Sequence, residues 1–467
     1  MTQSTALPIP AAELDSLERE DPRWQTAHGI AACACALLIT MPTTPMELSI
    51  APIAIVGLAR IVRVMPITLT LFRSPTFLLA LAFLAWTALS LLWSTDPAQG
   101  ADELADLRWL VLVWLIAPVA RWRLRIVACL AGGFVLGHLS QIANGSAILA
   151  GGPDWLIGRR TESRISGWWD PAVSGTILTA AIGLHLVPAL LGRSRLRLLA
   201  WAAMVASFAG LIATGSRGGW LATATLLGLV TLALLVHKQS RRRVILPASA
   251  GAALLGLVIA GAAITRGEQL AGRFAEARDA VRDAWTGAGY DSDTGARIRM
   301  KAVALQAFAS SPIWGTGAGG YRSWDEANPP AEPAGSTPVA GSQDVRAKPA
   351  RLVHDHAHDT PLHTAATLGL VGLALGGCLL ASALREGWRA IRSAPTNGSP
   401  RVSLYHAAPL VALLGLLCAM PYDTLHVSGQ PAAVMWLLIA LCVAHERRNR
   451  PASSSCRLAA RELDTPS

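Results

Sequence analysis

The chain has 467 residues, of which 52% are hydrophobic and only 15% are charged, and its mean hydropathy is +0.41. This composition excludes a disordered or fibrous protein and most soluble enzymes. The formal net charge is +10, but the basic residues form small clusters between apolar runs, which favours membrane topology over a nucleic-acid groove. The seven cysteines form no repeated CxxC pairs, so neither a disulfide framework nor a zinc knuckle is indicated.

The N-terminal residues 1–28 are polar and lack the basic start of a cleaved signal peptide, so they predict a retained tail. The apolar stretches that follow approach the length needed to cross about 30 Å of hydrocarbon. We predict an all-α, polytopic membrane bundle of about 12 transmembrane helices, near 29–46, 48–60, 75–93, 107–120, 125–143, 171–192, 196–214, 218–236, 244–264, 361–383, 403–420 and 427–444. Two of these stretches, 48–60 and 107–120, are short. Either they extend beyond these bounds, or the first two spans, 29–46 and 48–60, form one broken hairpin.

The arginine clusters fall in alternate connections, which places both termini on the cytoplasmic side by the positive-inside rule. The bundle then has a first part at 29–264 and a second part at 361–444, with a cytoplasmic C-terminal tail at 445–467. Residues 265–360 form a long connection on the outer side. A connection of this length predicts a small external domain or a lid over a site.

An arginine between glycines lies where the seventh span reaches the outer face, in Ser216-Arg217-Gly218-Gly219. Glycine permits close backbone approach, and a guanidinium group offers a planar fork to phosphate oxygens. The pattern therefore fits phosphate binding at the membrane surface. A snorkelling arginine in a short turn explains it equally simply.

Four of the eleven histidines lie just before the tenth span: His354, His356, His358 and His363. Imidazole can act as a base near neutral pH. On a helix, His354 and His358 would share a face and could join Asp355 or Asp359 in a metal site. A surface-exposed histidine-rich loop is the plainer alternative.

Three further motifs lie on the predicted outer side. The glycine-rich run 315–320 superficially resembles a dinucleotide loop, but no strand precedes it, so a flexible turn explains it better. The segment from Arg164 to Pro171 carries Trp168, which fits either sugar stacking or a membrane-interface belt. Asp291-Ser292-Asp293 has the Asp-x-Asp form that some metal-dependent glycosyltransferases use, although we interpret it as a solvated turn.

Taken in chain order, these segments resemble the O-antigen ligase and polymerase superfamily of bacterial glycosyltransferases. The resemblance rests on Ser216-Arg217-Gly218, on Arg297 followed by the Pro-x-x-Gly-x-Gly turn at 312–317, and on His358-Asp359-Thr360-Pro361-Leu362 with Gly369 and Gly372. The segment from Arg164 to Pro171 and the Leu-Leu-Trp-Ser-x-Asp-Pro run at 91–97 extend it. Two departures are Asp359 and Asp170, which stand where the family usually has asparagine.

The resemblance implies an O-antigen ligase in the bacterial inner membrane with its active site facing the periplasm. Such an enzyme moves a glycan from undecaprenyl diphosphate to a sugar hydroxyl of lipid A-core, inverts the anomeric carbon, and needs neither metal nor cofactor. It implies that Arg217 and Arg297 stabilise the diphosphate, and that His358 removes the acceptor proton or binds phosphate. It also implies substrate binding by Arg164, Ser216, Trp168, Arg299 and Asp359.

Its expected partners are the lipid-linked donor, the lipid A-core acceptor and membrane lipids, with no nucleic acid. Within the superfamily, an O-antigen polymerase and a protein O-oligosaccharyltransferase remain alternatives. A secondary transporter or lipid flippase is the alternative from another class, because many spans and charges within them would serve it too.

Overall fold

The computed structural model describes residues 9–151, 164–192, 194–236, 260, 267–268, 271–272, 274–286, 290, 292–328, 354–393 and 405–447. Most of these residues are helical. Among the described residues there is one parallel pair of two-residue strands, β1 at Ile9–Pro10 and β2 at Glu446–Arg447. The mostly helical fold agrees with the prediction from the apolar runs.

The first part of the chain forms nine α-helices. Proline at the first position starts three of them, because its fixed φ suits a helix start and its missing N–H is not needed there. The helices are α1 Ala11–Glu20, α2 Pro22–Leu38, α3 Thr43–Leu48, α4 Ile50–Ala59, α5 Ile61–Leu71, α6 Pro75–Ser90, α7 Pro97–Asp106, α8 Val111–Ile116 and α9 Arg123–Ala150. Short 3₁₀ turns at Leu107–Leu110 and Ala117–Trp122 flank α8.

The rest of the chain supplies the helices around the predicted site. They are α10 Pro171–Leu191, α11 Ser194–Thr214, α12 Arg217–Val236, α13 Asp293–Ser310, α14 Gly320–Ala327, α15 Thr360–Ser393, α16 Ala408–Ala419 and α17 Gly429–Val443. A helical segment also covers 274–286. A 3₁₀ turn, Met420–Tyr422, continues α16.

Four helical stretches within the described ranges are long and apolar enough to cross a membrane: Pro97–Ala150, Val173–Leu191, Arg195–Thr214 and Thr360–Arg392. Thr43–Ala59 and Ile61–Leu71 pass the same test as a pair, but a 101° bend separates them. Three apolar helices are shorter: Pro75–Ser90, Ala408–Tyr422 and Gly429–Val443. The total of about 12 spans therefore stays a prediction, and the stretch 244–264 lies almost entirely outside the described residues.

Helices α10 and α17 form the centre of the bundle. Helix α17 is apolar on all sides, and every residue from Pro431 to Val443 is buried. It packs against α8, α15 and α16, while α10 packs against α11, α12 and α16. Because α16 contacts both central helices, the turn at its C-terminal end is held from two sides.

The N-terminal region, which the sequence predicts as a polar tail, contains helical structure. Helix α1 and the start of α2 lie within residues 1–28, and Asp21 is buried against Arg60 with an Nε–Oδ2 distance of 3.1 Å. Arg60 also contacts Gln25 and His28. The first apolar helix, α2, begins at Pro22 rather than near residue 29, because these polar side chains satisfy one another inside the fold.

The stretch 107–120 also differs from a simple spanning helix. It consists of a 3₁₀ turn, the short helix α8 and part of a second 3₁₀ turn. Pro118 explains the second break, because proline cannot donate the backbone hydrogen bond that would continue the helix.

Candidate functional site

The turn between α11 and α12 places Arg217 at the first position of α12. Gly215 adopts φ +63°, which suits glycine and ends α11. The hydroxyl of Ser216 accepts a hydrogen bond from the amide of Gly219 at 3.3 Å, as an N-cap does. A Cβ on Gly218 would lie 2.6 Å from Cβ of Tyr422. The glycine therefore lets the start of α12 lie directly against the turn that follows α16.

The guanidinium group of Arg217 is about one-fifth exposed and forms an ion pair with Glu276 at 3.3 Å. Glu276 lies in the helical segment 274–286, within the predicted outer loop. Phe274 of the same segment packs near Trp220, with ring centroids 6.0 Å apart. The 274–286 segment thus places a carboxylate against Arg217.

Arg297 lies on α13, whose N terminus is capped by Ser292. Its Nη1 donates a hydrogen bond to the carbonyl of Tyr422 at 2.8 Å. Burial lowers the pKa of Arg297; the carboxylate of Asp423 opposes this shift, and the positive charge of Arg217 adds to it. The two arginines predicted to bind a diphosphate therefore lie close enough to interact electrostatically. Arg297 contacts Tyr422 directly, whereas Gly218, the neighbour of Arg217, packs against the same residue.

Asp423, which the sequence had not indicated, is the buried carboxylate at the centre of this arrangement. Thr176 donates a hydrogen bond to its Oδ2 at 3.0 Å, and the amide of Thr424 donates to its Oδ1 at 2.9 Å. Nδ1 of His358 lies 3.8 Å from the same Oδ1 and has no hydrogen-bond partner among the described residues. The imidazole and the carboxylate are thus neighbours that a small movement would join.

The loop that carries His358 is fixed to the turn formed by residues 421–424, which we call the 421–424 turn. The amide and hydroxyl of Thr360 both donate to the carbonyl of Asp423, at 3.0 and 2.7 Å. His358 has φ +47°, a left-handed backbone uncommon for a side-chain-bearing residue, and among the described residues no other non-glycine residue has positive φ. Such strain persists where the surroundings enforce it, and it is frequent at functional sites.

The rings of His356 and His358 are neighbours, with centroids 4.4 Å apart and planes tilted by 53°. Burial lowers the pKa of His356 to about 3, and the neighbouring His358 and His363 act in the same direction. His356 is therefore uncharged at neutral pH. Burial also lowers the pKa of His354. The described residues contain no group of three or more histidine, cysteine, aspartate or glutamate side chains that could hold a metal ion, so the cluster offers imidazoles without a completed ligand set.

Asp359 caps α15, since its Oδ1 accepts a hydrogen bond from the amide of Leu362 at 3.0 Å. Asparagine can form the same cap, so this departure from the family pattern preserves the local geometry. Its second oxygen pairs with Lys301 at 3.0 Å. Lys301 was not identified from the sequence, because an isolated lysine on a helix gives no pattern.

Two other predicted substrate-binding residues, Arg299 and Trp168, have protein partners of their own. Arg299 pairs with buried Asp325 at 2.6 Å, because two residues along α13 from Arg297 its side chain points to another face. Trp168 donates its indole N–H to the carbonyl of Thr40 at 3.0 Å, which ties it to the end of α2. These contacts connect Arg299 to α14 and Trp168 to the end of α2.

Arg164 lies near the start of α13, with Nη2 3.8 Å from the carboxylate of Asp293. Asp293 is the last residue of the Asp-x-Asp run, and the middle residue, Ser292, caps α13 by accepting the amide of Gly295 at 3.0 Å. Asp291 lies outside the described residues. A helix cap and an ion pair therefore account for the two described members of this motif.

The glycine-rich run has a structural explanation. We call residues 312–320 the glycine loop; its Gly315, Gly317 and Gly319 all have positive φ. All six amides from 315 to 320 donate to protein acceptors, which are the carbonyls of Ser311, Ala366, Thr367 and Gly317, the hydroxyl of Ser90 and the carboxylate of Glu103. No amide in this stretch is left to bind phosphate, so the loop is not a dinucleotide site.

The glycine loop fills a break in α15 at Gly369, where φ is +65° and ψ is −166°. A Cβ there would lie 2.1 Å from the carbonyl oxygen of Ile313. The carbonyls of Ala366 and Thr367 and the amide of Leu370 lose helical partners at the break and bond to the loop instead. The two family-like glycine elements therefore form one structural unit.

The Leu-Leu-Trp-Ser-x-Asp-Pro run holds this unit in place. Trp93 packs with Trp86 and Trp314, with ring centroids 5.6 and 5.9 Å away. Ser94 donates to the carbonyl of Ala318 at 2.5 Å, and Asp96 caps α7. Glu103 on α7 accepts the amide of Gly319 and lies 3.3 Å from His363. These contacts connect the run to the helix that begins beside His358.

A family model described as O-antigen ligase matches residues 202–376. The matched range contains Arg217, Arg297, His358 and the glycine loop. This part of the chain is thus similar to the O-antigen ligase family. The comparison with curated proteins found no match. The resemblance stated from the sequence motifs is thereby confirmed.

The O-antigen ligase domain covers less than half of the chain, and the site extends beyond it. Asp423 and Thr176 lie outside the matched range, as does Glu103. The helices that are long and apolar enough to cross a membrane indicate a membrane protein. The match to the O-antigen ligase family model indicates a glycosyltransferase-like enzyme.

Proposed function

We propose that the protein is an O-antigen ligase that transfers a glycan from undecaprenyl diphosphate to a sugar hydroxyl of lipid A-core. The reaction takes place at the periplasmic face of the bacterial inner membrane, without a metal ion or cofactor. The observation that carries this proposal is that Arg297 and His358 lie against the 421–424 turn, and that Arg217 lies close enough to Arg297 to act on it electrostatically, with its neighbour Gly218 packed on Tyr422. The proposed site therefore combines two arginines that could stabilise the leaving group with a histidine that could act as the base for the acceptor.

The arginines stabilise the charge of the departing diphosphate. As the acceptor oxygen bonds to the anomeric carbon, the bond from that carbon to the phosphate oxygen breaks and its electron pair leaves with the diphosphate. Guanidinium groups suit this charge because they present several donors in a planar fork. Arg297 is held by the Tyr422 carbonyl, so it is oriented before substrate binds, which is the arrangement that lowers reorganisation during reaction.

His358 takes the proton from the acceptor hydroxyl. Its Nδ1 faces Asp423 at 3.8 Å, and this placement favours a proton on Nδ1 and leaves the Nε2 lone pair for the hydroxyl. The buried carboxylate then stabilises the imidazolium that forms. The separation is longer than a hydrogen bond, as is common for catalytic contacts before substrate binds.

Arg164 and Ser216 border this site and are proposed to contact the substrate. Arg164 faces the N terminus of α13 through Asp293, while Ser216 precedes Arg217 and caps its helix. Trp168 and Arg299 have other partners, the Thr40 carbonyl and Asp325, and we assign them to holding the bundle and α13.

Deletion of the gene, followed by comparison of lipopolysaccharide ladders, tests the proposal. A ligase predicts core-only lipopolysaccharide and accumulation of lipid-linked polymer, with recovery when the wild-type gene is returned. Single repeats on core would instead identify a polymerase. Normal ladders with unglycosylated proteins would identify a protein O-oligosaccharyltransferase, and an unchanged glycan profile would reject glycan transfer.

A further inference from the structure

The ammonium group of Lys301 lies near three residues of the site. Its Nζ lies 3.0 Å from Oδ2 of Asp359 and donates to the carbonyl of Pro421 at 2.5 Å. It also lies 5.7 Å from the centroid of the Tyr422 ring. Lys301 follows Arg297 by one helical turn on α13, so both cations point to the same face. They hold consecutive carbonyls of the 421–424 turn, those of Pro421 and Tyr422.

Asp359 introduces a negative charge where the proposed substrate is itself an anion. The residue is only 6% exposed and directly follows His358 in the chain. Its Oδ1 is used by the cap of α15, and its Oδ2 by Lys301. A helix N terminus offsets only about half a charge, so the carboxylate would remain mostly uncompensated without the lysine. Electrostatic repulsion in a partly buried site is screened less than at the surface.

We infer that Lys301 is a positioning residue that neutralises Asp359 and thereby keeps the Arg217–Arg297 site positive enough to bind a diphosphate. The inference rests on the proposed function for the identity of the donor. The ion pair and the bond to Pro421 also fix α13 against the 421–424 turn. Lys301 acts through Asp359 and is not assigned a contact with the substrate.

A double-mutant cycle tests the inference. The variants are Lys301→Met, Asp359→Asn and the double variant, with Lys301→Arg as the conservative change and Arg278→Met as the control for loss of an exposed positive charge. Arg278 is 76% exposed and pairs with its neighbour Asp279. Full-length protein in detergent is tested for the amount folded, for binding of inorganic pyrophosphate by calorimetry, and for the donor KM and kcat of glycan transfer.

We expect Lys301→Met to have a larger effect in the protein that retains Asp359 than in the Asp359→Asn variant. Lys301→Met should weaken pyrophosphate binding and raise the donor KM about tenfold when Asp359 is present, but less than about threefold when asparagine replaces it. Lys301→Arg should keep most of the binding, and Arg278→Met should not reproduce the loss. A structural role alone would lower the folded fraction and leave the pyrophosphate affinity of the folded protein unchanged.

Equal losses in both backgrounds, or no pyrophosphate binding by the wild-type protein, would overturn the inference. Failure of the proposed function has a different outcome. If the wild-type protein transfers no glycan but its pyrophosphate affinity depends on Lys301 as described, the inference stands and ligase activity is rejected. If the wild-type protein transfers glycan but the effects of Lys301→Met and Asp359→Asn on pyrophosphate binding are simply additive, ligase activity stands and the role of Lys301 is rejected.

Discussion

The glycine loop and the 421–424 turn are both short connections, yet they have opposite uses. The glycine loop has the composition of a ligand-binding element, but its amides from 315 to 320 are all bonded within the protein. The 421–424 turn has an ordinary composition, Pro-Tyr-Asp-Thr, and receives Arg297, Lys301 and Thr360 on its carbonyls. Composition therefore indicates where a backbone is unusual, whereas the placement of charged side chains indicates where chemistry can occur.

The difference has a physical origin. A loop with several positive-φ glycines can enter a gap in a helix and satisfy the freed backbone groups, which stabilises the fold. A turn that presents its carbonyls to cations fixes the orientation of those cations, which is a requirement of a preorganised site. If this contrast is right, changes at the 421–424 turn should reduce catalysis, and changes at the glycine loop should reduce stability.

Removal of the His358 imidazole should have the largest effect. His358→Ala is expected to reduce glycan transfer by about 10³-fold or more while the protein remains in the membrane, because the acceptor proton loses its base. Transfer is measured as lipopolysaccharide ladders and as initial rates with purified protein. His354→Ala serves as the control for loss of an imidazole, because the structure does not join His354 to Asp423. Near-normal transfer by His358→Ala would refute the role of His358.

Neutralising Asp423 should have the second-largest effect on catalysis. Asp423→Asn keeps an oxygen for the Thr424 amide but removes the charge opposite His358 and near Arg297. We expect kcat to fall about 100-fold, since the imidazolium is no longer stabilised, with a smaller change in the donor KM. Thr176→Val removes a hydrogen bond to the same carboxylate and keeps its charge, so a smaller loss is expected. An Asp423→Asn variant with wild-type kcat would contradict this role.

The glycine loop is tested by two alanine substitutions on the same helix. Gly369→Ala should lower the free energy of unfolding by about 2–3 kcal/mol, because alanine would be strained at this φ and ψ and would collide with Ile313. Gly377→Ala meets no atom within 4 Å and should be neutral or stabilise by about 0.5–1 kcal/mol. Thermal unfolding in detergent measures both. Equal midpoints would mean that the loop does not support α15.

Much of the mostly helical fold and part of the site follow from the sequence. Apolar runs predict helices because membrane-length stretches must satisfy their own backbone hydrogen bonds. Arg217, Arg297 and His358 were found through motifs, which are local patterns. Whether they act as proposed stays a prediction, but the structure brings Arg297 and His358 to the 421–424 turn and packs Gly218, the neighbour of Arg217, against Tyr422.

The residues that were missed are those defined only by distant contacts. Asp423 lies 65 residues after His358 in the chain, and Lys301 is recognisable only through its contacts with Asp359 and Pro421. The predicted substrate-binding roles of Arg299 and Trp168 stay predictions. Their residue types suit substrate binding, but helix geometry and a backbone carbonyl give them other partners.

The smallest expected effect is a loss of stability in acid that comes from the imidazoles behind the 421–424 turn. Burial lowers the pKa of both His356 and His426 to about 3, while an unfolded chain binds these protons near pH 6.5. The unfolded state therefore binds more protons between these values, so the free energy of unfolding is unaffected above about pH 6.5 and falls as the pH drops below it. Each histidine should contribute about 1 kcal/mol of loss by about pH 5.5.

Thermal midpoints of the purified protein at pH 7.5, 6.5 and 5.5, measured in one detergent, would show this decline. His356→Asn should reduce its slope, because that site no longer takes up a proton on unfolding. His354→Asn, whose pKa is also lowered by burial, should act in the same direction. A midpoint that rises on acidification, or a slope that is unchanged in His356→Asn, would mean that His356 is charged in the folded protein. In that case it would repel the protonated form of His358, and the proposed base would need another source of stabilisation than Asp423.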